Sequence, residues 1–201
     1  MPLELSDLQP LLDGEVLYID FARHVTIDDL RALTNASIDM LKSFLDGLVD
    51  EHVTFEPVDP HAHDPYAVDG EEQLGWNLAH LVLHVTASSE EGAAMSATLA
   101  RGIEVKLRSR YEPPWREYTT VEQCLDRLEE SRRMRLAFLD AWPNNPHLDV
   151  YRKISKEWEA KVGKLNAPAM FLFGLLHEVG HYDQFREVRR QALAAYPLAS
   201  H

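Results

Sequence analysis

An all-α fold follows from three observations. Four long segments carry apolar residues at spacings of three and four. No stretch alternates apolar and polar residues convincingly enough to read as a strand. The segments are joined by Pro- and turn-rich connections long enough to cross the end of a bundle. Four helices around a shared core are therefore expected, in a single domain over 1–201 with its core at about 26–196.

The first predicted helix covers 26–52. Thr26 suits the N-cap, and Asp28 and Asp29 fall in the first turn, where the helix dipole favours negative charge. Leu30, Leu33, Ser37, Met40, Leu41, Phe44 and Leu48 form its stripe. The second covers 69–102, with Asp69 as cap and Glu71 and Glu72 in the first turn. Leu74, Leu78, Leu81, His84, Val85 and Met95 share its face. The third covers 119–142, with Thr119 and Glu122 as a capping box and Pro143 as the stop. Its apolar positions are Leu125, Leu128, Met134, Leu136, Phe138 and Leu139. A short helix is expected at 153–162. The fourth long helix covers 166–196: Asn166 caps it, Pro168 is tolerated in the first turn, and Pro197 stops it.

Composition narrows the function classes. Hydrophobic residues make up 45% and charged residues 26% of the 201 residues, as in an ordinary soluble globular protein. The net charge of −13 repels phosphate backbones and anionic lipid heads, and no basic run overcomes it, so neither nucleic acid nor membrane is an expected partner. No apolar run approaches the ~20 residues of a membrane span. The acidic start "MPLELSDLQP" lacks the features of a secretory signal, so a cytoplasmic location is expected. Cys124 is a lone thiol in an amphipathic helical stretch and reads as a buried small hydrophobe.

The chemistry concentrates in "FLFGLLHEVGHYDQF". His177 and His181 are four residues apart, which on a helix places both rings on one face. Met170, Gly174, His177, His181 and Gln184 continue that stripe, and Gly174 and Gly180 read as positions of close helix approach. Two unpaired neutral imidazoles in a core leave nitrogens without partners at ~1–3 kcal/mol each, so a shared divalent ion competes well with simple core packing. The second helix offers further ligands in His80 and His84, again four apart. One of these with His177 and His181 gives three imidazole nitrogens and open positions for water or substrate.

The run His177, Glu178, Val179, Gly180, His181 also matches the H-E-x-x-H pattern of zinc proteases literally. No third-ligand extension follows before Pro197 and no strand is present to hold a peptide, so the protease reading is set aside. Glu178 points about 100° away from His177 on a helix and is expected at the surface. The "HAHDP" loop (His61, His63, Asp64) reads as a solvated turn, Trp76 as core packing, and Tyr182 and Asp183 as outward-facing. Gln184 either hydrogen-bonds near the site or lies on the surface.

Trp76, His84 eight residues later, and His177-x-x-x-His181 followed by Gln184 resemble the marks of the DinB/YfiT-like metalloenzyme family. The resemblance spans roughly residues 26–196. It implies an up-down-down-up four-helix bundle, decorated here by extra short helix and loop segments, and frequent homodimers. By position His84, His177 and His181 take the metal-ligand roles, commonly with nickel or zinc. His80 does not match the family pattern and remains the alternate third ligand. Some relatives resemble S-transferases that use low-molecular-weight thiols, and others resemble maleylpyruvate isomerases. The resemblance therefore implies a metal-dependent enzyme on a small-molecule substrate, such as a thiol S-transferase or hydrolase. The competing reading is a metal-binding module without turnover, its open position filled by His80 or Glu91.

Overall fold

The computed structural model describes residues 2–60, 62–63, 72–108 and 110–198. Its N-terminal residues wind into two single-turn helices, α1 (Gln9–Leu12) and α2 (Tyr18–Phe21), which bring Leu8, Leu11 and Ala22 into a core cluster. Helix α3 (Ile27–Ser43) starts as expected at Thr26. Thr26 Oγ1 accepts from Asp29 N–H at 3.2 Å, and Asp29 Oδ2 accepts from Thr26 N–H at 2.9 Å. Hydrogen bonds from the Thr26 hydroxyl and backbone hold the Asp29 carboxyl below its ordinary pKa.

The first helix stops well short of residue 52. Phe44 to Leu48 turn, Gly47 takes φ +71°, and a separate turn of helix, α4 (Asp50–Val53), follows. The stripe of apolar residues runs on through Phe44 and Leu48, but only a glycine enters that left-handed backbone cheaply, and it ends the helix.

Helix α5 (Leu78–Ala100) is buried along nearly its whole length. Its cap is Asn77, whose Oδ1 accepts from His80 N–H at 2.8 Å. The expected cap Asp69 and first-turn Glu71 lie outside the described residues, while Glu72, Leu74 and Trp76 precede the helix. Helix α6 (Val121–Asp140) is capped by Thr120 rather than Thr119. Its box partner is Gln123 rather than Glu122, and Gln123 Oε1 accepts from both Thr119 N–H (2.8 Å) and Thr120 N–H (3.0 Å). Helix α7 (Lys156–Val162) is capped by Ser155.

The last predicted helix divides into α8 (Ala167–Val179), capped by Asn166, and α9 (Tyr182–Ala195). At the joint, His181 N–H reaches Glu178 O, only three residues back, at 3.0 Å. That tightened turn kinks the chain without leaving right-handed backbone, since Gly180 has φ −61° and ψ −20°.

α5 packs most closely on α8. Gly92 faces Gly174, and an added Cβ on Gly174 would meet Gly92 Cα at 3.0 Å. Gly174 is therefore a close-approach residue as expected. Gly180 is not: a Cβ there would meet only its own helix's Leu176 and His177 carbonyls, at 3.3 and 3.5 Å.

Buried charge ties the helices together. Arg135 on α6 and Glu178 on α8, both with no exposed side-chain surface, form an ion pair at 3.1 Å, and Ser89 on α5 donates to Glu178 Oε2 at 2.9 Å. Arg127 pairs with Glu90 at 2.6 Å one layer away. The expectation of a surface Glu178 is thereby corrected: it lies on the face of α8 that meets Ser89 of α5 and Arg135 of α6. Tyr182 is also corrected, being 6% exposed, while Asp183 is exposed as expected. Among the described residues no strand occurs, and no helix is long and apolar enough to cross a membrane.

Candidate metal centre

His84 projects from the second turn of α5. His177 lies in the last turn of α8, and His181 sits at the kink before α9. One nitrogen of each ring lies within 4.8 Å of the others. Ring centroids are 5.0 Å (His84–His177), 5.2 Å (His84–His181) and 4.9 Å (His177–His181) apart. A shared ion at ~2.0–2.1 Å from each nitrogen needs the donors roughly 3–3.5 Å apart, which three nitrogens gathered within 4.8 Å approach.

The electrostatics suit neutral donors. Burial first, then the neighbouring His181 and His84, push His177 down to about 3, although one edge of its ring opens on to a cavity. Burial likewise lowers His181, against the opposing pull of Gln184. Both imidazoles are therefore unprotonated near neutrality and hold lone pairs for a cation.

Neighbouring groups orient the rings. His181 Nδ1 lies 2.9 Å from Gln184 Oε1. With that oxygen accepting, Nδ1 carries the proton and Nε2 presents its lone pair. Gln184 thus belongs to the site. His84 Nδ1 faces Glu112 Oε2 at 3.6 Å and Arg110 Nη2 at 3.1 Å. Burial works to raise the Glu112 carboxyl, but His84 and Arg110 together hold it down at about 2. A carboxylate that stays ionised beside His84 offsets the Arg110 charge.

Trp76 covers the cluster from the loop before α5, with centroids 4.3 Å from His84 and 5.9 Å from His181. It covers the rings and, as expected, also packs against the core cluster that α5 shares with α3, α6 and α9. His80 turns away from the triad. It stacks on Trp115 at 4.9 Å and 6°, and its Nε2 lies 3.8 Å from Glu112. Glu91 is held by Arg108 at 2.8 Å. Neither candidate for a closing ligand joins the cluster.

Two cavities flank the rings. One is bounded by Asp59, His63, Trp76, His181 and Gln184. His63 thus faces the site, while His61 and Asp64 of the same loop lie outside the described residues. The other, of 470 Å³, runs from His177 along α8 past Gly174 and Met170. Cys124 is fully buried, and burial pushes its thiol up to about 12, which removes it as a nucleophile.

Sequence reasoning missed Arg110, Glu112 and Trp115. They lie in "RYEPPWREY", whose Pro-rich pattern announces a loop and nothing about where it folds. It lies back across the first turns of α5.

A family model described as the DinB superfamily matches residues 33–185. No curated protein and no solved structure gives a significant match.

Proposed function

This chain belongs to the DinB superfamily, and on that premise we propose that it is a metal-dependent enzyme acting on small molecules, either a thiol S-transferase or a hydrolase. The carrying observation is that imidazole nitrogens from α5, α8 and the kink before α9 meet within 4.8 Å. The donor set fits a divalent ion of the nickel or zinc type, which imidazole suits. When bound, such an ion supplies Lewis-acid activation of water or a thiol near neutral pH.

The chain's own residues supply the rest. Gln184 keeps the proton on His181 Nδ1. Glu112, at a pKa of about 2, is too weak a base to take a proton and serves as fixed negative charge beside His84. Trp76 keeps water off one side of the rings, while the cavity at His177 admits a substrate from the other. The thiol co-substrate is proposed from the family resemblance.

We further propose a single domain over 1–201 wound up-down-down-up, and a cytoplasmic homodimer. The winding is supported by the two core clusters: one joins the start of α3 to the ends of α5 and α6 and to α8, the other joins the end of α3 to the starts of α5 and α6 and to α9.

Untagged protein should carry about one nickel or zinc ion per chain by elemental analysis. Loaded protein should consume an electrophile together with a low-molecular-weight thiol, and His181→Ala should lose both properties. Bound metal with no turnover across a thiol and ester panel would favour the non-catalytic module. No metal at all sinks both readings.

A further inference from the structure

We propose that the 470 Å³ cavity beside His177 binds a small amphiphilic monocarboxylate, its anionic end on Arg152 and its apolar body against Phe173 and Trp158. Four cationic side chains line this cavity: Arg108, Arg110, Arg152 and Lys153, in a chain of net charge −13. Three of them already face carboxylates. Arg108 pairs with Glu91 at 2.8 Å, Arg110 donates to Glu112 at 3.1 Å, and Lys153 pairs with Glu104 at 3.1 Å. Arg152 differs. Among the described residues its guanidinium contact is Nη1 to the thioether sulfur of Met170 at 3.6 Å, a weak acceptor.

Arg152 is half-buried. A guanidinium drawn out of water without a carboxylate is costly unless an anion meets it, and its planar fork matches a carboxylate with two parallel hydrogen bonds. Burial lowers its pKa, offset in part by Glu91 and reinforced by Arg108, and a guanidinium remains charged in any such setting. One cation without an ion pair of its own among the described residues, with Glu91 already nearby, suits a monoanion rather than a doubly charged phosphate.

The remaining wall is apolar. Trp158 is 53% exposed and meets Phe173 edge-on at 6.2 Å, which leaves aromatic surface for a ligand. Met170 and His177 lie seven residues apart on α8, so the anion sits about 10 Å from the triad along the helix axis. A bound molecule of that length reaches His177 with its other end. Only this placing of the reacting end rests on the metal-dependent reading. The anion subsite stands without it.

The test titrates untagged protein, both chelator-stripped and metal-loaded, with 4-phenylbutyrate, its neutral analogue 4-phenylbutan-1-ol, and phenyl phosphate, read by calorimetry and tryptophan fluorescence. The expected result is saturable 4-phenylbutyrate binding in both forms, with the alcohol at least tenfold weaker. Arg152→Met should lose at least tenfold and Arg152→Lys less, each checked for an unchanged melting transition. Equal affinity for acid and alcohol in the native chain overturns the proposal without reliance on any variant, as does unchanged acid binding in a folded Arg152→Met. Phenyl phosphate binding tenfold tighter than the carboxylate overturns the monoanion assignment. Carboxylate binding that persists in a protein unable to hold metal sinks the metal reading and upholds this one.

Discussion

His177 and Glu178 are adjacent in the chain and end in opposite environments. The first is exposed to a cavity as part of three converging imidazoles; the second has no exposed surface and is paired with Arg135. The histidine cluster is open on one side, carried by α5, α8 and the kink before α9, and covered by loops. The ion pair is sealed among α5, α6 and α8, and several of its polar atoms, including Arg135 Nε and Nη2 and Glu178 Oε1, have no hydrogen-bond partner among the described residues. A chemical site tolerates exposure because a ligand completes it. A buried charge pair completes only itself, so loss of one partner leaves the other stranded. One turn of one helix thus carries the proposed chemistry on one side and the fold's electrostatic tie on the other.

The sharpest way to break this comparison is to exchange the phenotypes of the two neighbours. Glu178→Gln should cost about 3–5 kcal/mol in urea unfolding, because it leaves the Arg135 guanidinium buried and unpaired. The double variant Arg135→Met/Glu178→Met should lie nearer the native stability than either single change. His177→Ala should stay within about 1 kcal/mol of native stability in the metal-free protein and lose metal retention. If Glu178→Gln unfolds no more easily than His177→Ala, the division of labour is wrong.

The glycines sharpen it further. Gly174→Ala should destabilise by about 1–3 kcal/mol, since its Cβ would meet the Gly92 backbone at 3.0 Å and the Ser88 carbonyl at 3.0 Å, neither of which is a flexible side-chain end. Gly180→Ala, with right-handed backbone and one tight contact of 3.3 Å to the Leu176 carbonyl that a small shift relieves, should stay within about 1 kcal/mol of native stability. The two midpoints, measured side by side, separate close packing from mere helix continuity.

Gln184→Ala acts on the open region alone. Metal affinity measured by competition with a chelator should fall roughly 10–100-fold while the melting temperature of the metal-free protein holds, because Gln184 only fixes the proton on His181.

The smallest effect is a pH dependence. His177 and His181 have folded pKa values below their unfolded ones, so between about pH 6.5 and about 3 the unfolded chain binds more protons than the folded one. Metal-free stability should therefore decline as pH falls through that window. Glu112, depressed to about 2, adds a loss of the same sign below about pH 4.5. Urea midpoints from pH 7 to 4.5 should flatten in His177→Ala, and an unchanged slope would exclude the histidines as its source.

Much of the fold was legible because local rules are short-ranged. Thr26 and Asn166 cap the helices they were expected to cap, and the apolar stripes mark α3, α5, α6 and α8. The misread ends have local reasons too. Gly47 breaks a pattern that periodicity alone would extend, and Thr120 outcompetes Thr119 by one residue. At the site, a His pair at helical spacing and a third His eight residues beyond Trp76 mark residues 84, 177 and 181 in the sequence.

What the sequence determined by itself was therefore the helical class, the family resemblance and the candidate histidines, since each rests on spacings within the separate helices. Only the tertiary structure decided that His80 turns to Trp115 and not to the triad, and that a Pro-rich loop brings Arg110 and Glu112 against His84. It also decided that Glu178 faces Arg135, and that Arg152 lines a cavity without an ion-paired carboxylate of its own among the described residues. These are contacts between residues 18 to 43 positions apart. Their register depends on how whole helices pack and where a kink turns them, and no local pattern encodes that.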